Sequence, residues 1–260
     1  MCLIAIAWQC HPRFPLVLAA NRDEFHARPT AAVHRWNSPV GIIAGRDLEA
    51  GGTWLGASPG GRIAALTNVR EPASGTLAAA PSRGELPVAF LADTRPPAAF
   101  AQDLADTAAR YRGFNLLLLT GEALLVTSNR TAGPVTPGPG VHALSNAPPG
   151  VDWPKTRRAR DILGSALADN GDTLEALVDA AFGLLADPAP AEDFELPESG
   201  LPTDRERQLS AIFVAGSDYG TRCSSVLVVD HERTLHWHER RFGPDTRPTG
   251  SSRLQLAYGG

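Results

Sequence analysis

The chain has 260 residues, 43% of them hydrophobic and 20% charged, and carries a formal net charge of −4. That length can bury a full core, and the acidic balance with no long basic run argues against nucleic acid as the main partner. No apolar stretch reaches the length of a membrane span and no leader-type segment opens the chain, so a cytoplasmic protein without membrane insertion is expected.

The first predicted element is Cys2–Trp8, an unbroken apolar run of the kind found in strands buried on both faces. Pro12 and Pro15 break it, and Leu16–Ala20 resumes as a second strand running on toward Glu24. In an antiparallel hairpin turning near Pro12, opposite residue numbers sum to about 24, which sets Cys2 against Arg22. Phe25–Pro39 reads as a loop, Val40–Ala44 as a short strand, and Gly45-Arg46-Asp47 as a turn. Thr53–Gly56 and Arg62–Asn68 form a hairpin around Ser58-Pro59-Gly60-Gly61. Pro72–Pro81 is too rich in Ala, Ser, Gly and Pro for ordered core. Helices are expected over Leu86–Asp93 and Ala98–Tyr111, then a hairpin of Phe114–Leu119 with Ala123–Ser128. Val141–Leu144 is a strand. Asp152 and Pro154 start a helix to about Ala168, and Thr173–Leu185 is another, amphipathic one. Asp187–Pro202 is an acidic, proline-rich loop, Asp204–Phe213 a short helix, and Thr221–Val229 with Leu235–Phe242 a last hairpin before a loose tail from Gly243. Strands, then helices, then strands suggest two sheets with helices outside them in a single domain over residues 1–260.

Three cysteines, Cys2, Cys10 and Cys223, have no metal-type spacing, and no metal site is expected. Cys2 stands apart from the other two. Removing Met1 would leave one residue with a nucleophilic thiol and, in its own α-amino group, a base titrating near ~7.7–8.0. The alternative is a small apolar residue opening a buried strand.

The stretch Asn21-Arg22-Asp23-Glu24 after a Met-Cys start resembles the signature of the NRDE family, also called the transport and Golgi organisation family. Supporting pieces are Gly51–Gly56, Leu66–Pro72, His142–Asn146 and Tyr219–Arg222, so the resemblance runs over essentially the whole chain. It implies a link to haem trafficking, with haem as a possible bound ligand. Cys10, His11, His26, His34, His142, His236 and His238 are the candidate axial ligands, although no C-x-x-C-H attachment motif occurs.

More distantly, the chain resembles N-terminal-nucleophile amidases of the penicillin V acylase and bile-salt hydrolase type. Asp23 matches their aspartate at the end of the second strand, Asn68 and Asn146 their oxyanion-hole asparagines, and Arg222 their late arginine. Those amidases carry an arginine three residues before the aspartate, where this chain has Ala20. The resemblance implies an α+β fold, a four-layer αββα sandwich of the N-terminal-nucleophile hydrolase type. It also implies hydrolysis of a linear C–N amide in a small acylated molecule, with no cofactor. Cys2, Asp23, Asn68, Asn146 and Arg222 would be catalytic, and Asn21, Arg22, Trp54 and Arg70 substrate-binding. Asp23 would hold the amine, the asparagines would stabilise the oxyanion, and Arg22 and Arg222 would lower the thiol pKa. Cys2 would then alkylate ahead of Cys10 and Cys223. The alternative function is non-catalytic carriage of haem or a lipid-like ligand.

Overall fold

A computed structural model of the protein describes residues 2–71 and 80–259. The chain is α+β, with two antiparallel six-stranded sheets, and divides into two compact units. Unit 1 comprises residues 1–27, 139–145 and 151–256, and unit 2 the stretches between and after them.

Unit 1 holds the sheet in which β1 (Cys2–Trp8) lies between β2 (Leu16–Phe25) and β9 (Gly140–Leu144). Beyond β2 come β10 (Tyr219–Val229), β11 (Thr234–Phe242) and, at the edge, β12 (Pro248–Ala257). Cys2 pairs with Arg22 and Trp8 with Leu16, the expected register. One face of this sheet offers Leu3, Ala5, Ala7, Val17, Ala19, Val226 and Val228 to a core shared with two helices. These are α3 (Pro154–Asn170), through Ala159 and Leu163, and α4 (Leu174–Leu185), through Leu177, Ala181 and Leu185. Alanines on the strands let the helices come close, and each fully buried leucine contributes about 1.5–3 kcal/mol. Thr173 caps α4, its hydroxyl accepting from the Ala176 N–H. α3 starts at Pro154 after Trp153, and the expected cap, Asp152, instead accepts from the Thr156 hydroxyl at 2.8 Å.

Unit 2 holds a meander in spatial order β3 (Thr30–Arg35), β4 (Ile43–Asp47), β5 (Leu55–Ser58), β6 (Arg62–Asn68), β7 (Phe114–Leu119) and β8 (Leu124–Ser128). Ala44, Ala64, Leu66, Leu116 and Leu118 pack against α1 (Glu85–Ala92), through Leu86, Phe90 and Leu91, and α2 (Pro97–Ala105), through Phe100 and Leu104. Each unit is thus a sheet with helices on one face, the half from which an αββα sandwich is made.

Several expectations change. The Phe25–Pro39 loop contains β3, an edge strand in which Val33 alone is fully buried. Gly45 to Asp47 belong to β4 instead of a turn, and Gly45 eases the approach of the Ala31 carbonyl from β3, since a Cβ would lie 3.1 Å from that oxygen. The second helix ends at Ala105, short of Tyr111, and a 3-10 turn covers Ala108–Arg110. The tail from Gly243 forms β12. α5 spans Thr203–Ser210. Pro72–Pro81 lies mostly outside the described residues. Among the described residues, no helix is long and apolar enough to cross a membrane.

Candidate active site

In unit 1, the ladder that sets Cys2 against Arg22 also sets Cys223 of β10 against Arg22, so one arginine is the cross-strand partner of two cysteines. Cys2 is 7% exposed. Its thiol is pushed up by burial first; Arg22 opposes that shift and Asp23 adds to it. Burial also holds the Cys223 thiol well above its usual value. The expected depression of the Cys2 thiol is therefore reversed by desolvation, which favours the neutral form. Cys10 is exposed while Cys2 and Cys223 are buried, so access runs against the expected order of alkylation.

Arg222 explains part of this. Thr221 pairs with Asp23 and Cys223 with Arg22, which leaves Arg222 as the extra residue of a β-bulge. A bulge re-aims its side chain, and the Arg222 guanidinium donates to the carbonyls of Phe25 at 2.9 Å and His26 at 3.1 Å. Arg22, not Arg222, is the cation opposite Cys2. Its own guanidinium lies 3.7 Å from the Glu24 carboxylate.

Asp23 is 1% exposed. Thr221 Oγ1 donates to its Oδ1 at 2.8 Å, and Tyr219 donates its hydroxyl to the Asp23 carbonyl at 3.0 Å. Burial raises the carboxyl; the Lys155 ammonium and the Thr221 hydrogen bond pull it back down. Ser145 Oγ donates to the Cys2 carbonyl at 2.9 Å, tying the segment just after β9 to the head of β1. Asn21, expected to bind substrate, is fully buried and structural. Its Nδ2 donates to the carbonyls of Leu185 and Ile212, each at 2.9 Å, and its Oδ1 accepts from Ser224 at 2.7 Å.

Unit 2 carries the remaining expected residues. Asn68 ends β6, and its carbonyl accepts from Asn146 Nδ2 at 2.8 Å; the Asn146 carbonyl accepts from the Arg70 N–H at 2.8 Å. Asn146 therefore uses a side-chain donor to hold the strand end. Trp54 is half-buried, and its carbonyl accepts from the Leu66 N–H at 2.7 Å.

Sequence reasoning missed Lys155, Thr221 and Ser145 as members of these groups. A signal for the first was present: of 24 lysine and arginine residues, Lys155 alone is lysine. The candidate haem ligands do not gather. His11 accepts from the Phe14 N–H, His26 donates to the Gly216 carbonyl, and His236 lies between Asp230 and Gln255. An open cavity of about 290 Å³ in unit 1, lined by Pro188, Pro190, Phe213 and Arg207 among others, has no His or Cys in its wall.

The geometry defines a class: an α+β protein whose first strand, inside a six-stranded sheet, carries a buried thiol at its head, beside an arginine and a buried aspartate. The chain belongs to the Transport and Golgi organisation 2 family, whose model matches residues 1–244. It is 31% identical to the bovine (Bos taurus) Transport and Golgi organization protein 2 homolog and 30% identical to the human (Homo sapiens) one, in each case over 92% of both chains. Among solved structures it is similar to a mutant conjugated bile acid hydrolase from Clostridium perfringens (TM-score 0.49, 6% identity, 98% of this chain and 92% of that one). It is also similar to a Caenorhabditis elegans ortholog of N-acylethanolamine-hydrolyzing acid amidase (TM-score 0.43, 13% identity, 87% and 92%). At those scores the two likenesses carry no chemical argument.

Proposed function

We propose that the protein is an N-terminal-cysteine amidohydrolase acting on a linear C–N amide of a small acylated molecule. The observation that carries this reading is the ladder register that sets Cys2, at the head of β1, opposite Arg22 and next to Asp23. The names of the relatives describe transport and Golgi organisation and specify no bond-breaking step.

The buried thiol, held neutral, does not work as a free thiolate. With Met1 removed, the α-amine of Cys2 takes the thiol proton as Sγ attacks the carbonyl carbon, and the carbonyl oxygen becomes an oxyanion. Collapse breaks the C–N bond, and the ammonium returns the proton to the leaving nitrogen. Water then cleaves the thioester, with the same amine as base, releasing the acid and restoring the thiol. Asp23 holds the amine by a charge-assisted hydrogen bond, and Arg22 offsets negative charge on the sulfur.

The test uses the full chain carrying Cys10→Ser, so that the exposed thiol does not compete, and a short-chain acyl p-nitroanilide as probe. Expected are an intact mass lacking Met1, release of p-nitroaniline, and a transient acyl mass on the peptide holding Cys2. Cys2→Ala should abolish both release and adduct. A retained Met1, or no release from demethioninated protein, overturns the reading. Saturable haem binding by that same protein would then support the carrier.

A further inference from the structure

Lys155 is the chain's single lysine, and it is 3% exposed in the first turn of α3. An ammonium loses strong hydration on burial, so one that stays buried needs an anion close by. The helix-covered face of the sheet shows which anion. Along β2, side chains alternate between faces, and Val17 and Ala19 point into the core shared with α3 and α4. Asn21, next in that row, donates to the Leu185 carbonyl at the end of α4. Asp23 continues the same row, buried, on the face that α3 covers. Cys2 and Arg22 belong to the opposite row.

We propose that Lys155 is a positioning residue of the Cys2 site: from the first turn of α3 its ammonium holds the Asp23 carboxylate against the head of β1, where that carboxylate takes the Cys2 amine. The second half of this statement rests on the amidohydrolase reading above. Among the described residues, the titratable and hydrogen-bonding groups that act on Asp23 are Lys155 from α3, Arg22 beside it on β2, Thr221 and Tyr219 from β10, and the Cys2 thiol of β1. Lys155 is the largest of the charges that oppose burial of the carboxylate. A compact ammonium meets one carboxylate as a point charge, where a guanidinium would need a wider planar slot.

The sign of the pH dependence follows. Burial already raises the folded-state pKa of Asp23, and loss of Lys155 raises it further. A carboxyl raised in this way costs stability above its folded pKa and is relieved as the pH falls through that value. Full-length Lys155→Met, Lys155→Arg and Asp23→Asn/Lys155→Met are compared with wild type by Tm at pH 8 and pH 5 and by p-nitroanilide turnover. The Tm loss of Lys155→Met should be largest at pH 8 and shrink at pH 5. Lys155→Arg, which keeps the charge, should show a loss independent of pH. The double variant should lose less at pH 8 than Lys155→Met alone. Turnover of Lys155→Met should fall by about tenfold or more, in kcat and not in KM.

Equal, pH-independent losses in Lys155→Met and the double variant would overturn the proposal and make Lys155 a packing residue. Coupling to Asp23 with unchanged turnover would overturn the site role. If Lys155→Met does not fold, the pH dependence of Lys155→Arg and the stability of the double variant decide. A wild type that never acylates Cys2 removes the amidohydrolase reading, and Tm still reads whether Lys155 and Asp23 are paired.

Discussion

Asn21 and Arg22 are neighbours in one motif, yet they belong to opposite faces of β2 and have different jobs. Asn21 ties the ends of two segments, after Leu185 and at Ile212, to the middle of the sheet. Replacing it with alanine leaves two carbonyls and the Ser224 hydroxyl without their partner. Asn21→Ala should therefore cost about 3 kcal/mol, at 1–3 kcal/mol for each buried group with incomplete additivity. Urea unfolding monitored by tryptophan fluorescence measures it; a loss under about 1 kcal/mol would mean that the site repacks around water. The alternation separating Asn21 and Asp23 from Arg22 and Glu24 was legible in the sequence. Which face the helices cover was not, because β2 is apolar on both faces from Leu16 to Ala20. The resemblance implies Asn21 at the substrate, and the apolar run gives no sign that its row, with Asp23, is the one that α3 and Lys155 cover.

Elements with a one-sided or unbroken apolar pattern were easy to place. β1 and β2 follow their register because the proline-bounded turn leaves one pairing that keeps both strands in the core. α4 follows its stripe of Leu177, Val178, Ala181, Leu184 and Leu185, and its start was legible from Thr173. Thr173→Ala should cost about 1 kcal/mol through loss of the cap to the Ala176 N–H. Thermal unfolding measures it, with Thr173→Ser close to wild type. β3 and β12 escaped for a common reason. They are edge strands with little fully buried surface, one buried residue in each, so neither shows an apolar face in its sequence. The bulge at Arg222 was equally hidden, since the extra residue shows only once Cys223 and Thr221 are paired. Spacing put that arginine near the thiol; backbone geometry turned it toward Phe25 and His26.

On the scale of the molecule, each unit is assembled from separated stretches of chain, and β1 depends on partners made far apart in sequence. Hydrogen exchange should follow that layout. Amides of β1 and β2, paired on both sides and buried, should exchange only on global opening, and those of the exposed edge strand β12 much sooner. Peptide-resolved exchange checks this; equal protection of β1 and β12 would contradict it. The same layout sets an order of events during synthesis. β1 and β2 leave the ribosome first, but β9 starts at Gly140 and β10 at Tyr219, so the head of β1 stays uncovered until most of the chain is made. After that, Cys2 is closed off. The thiol at the head of β1 is thus among the first groups made and among the last to be covered.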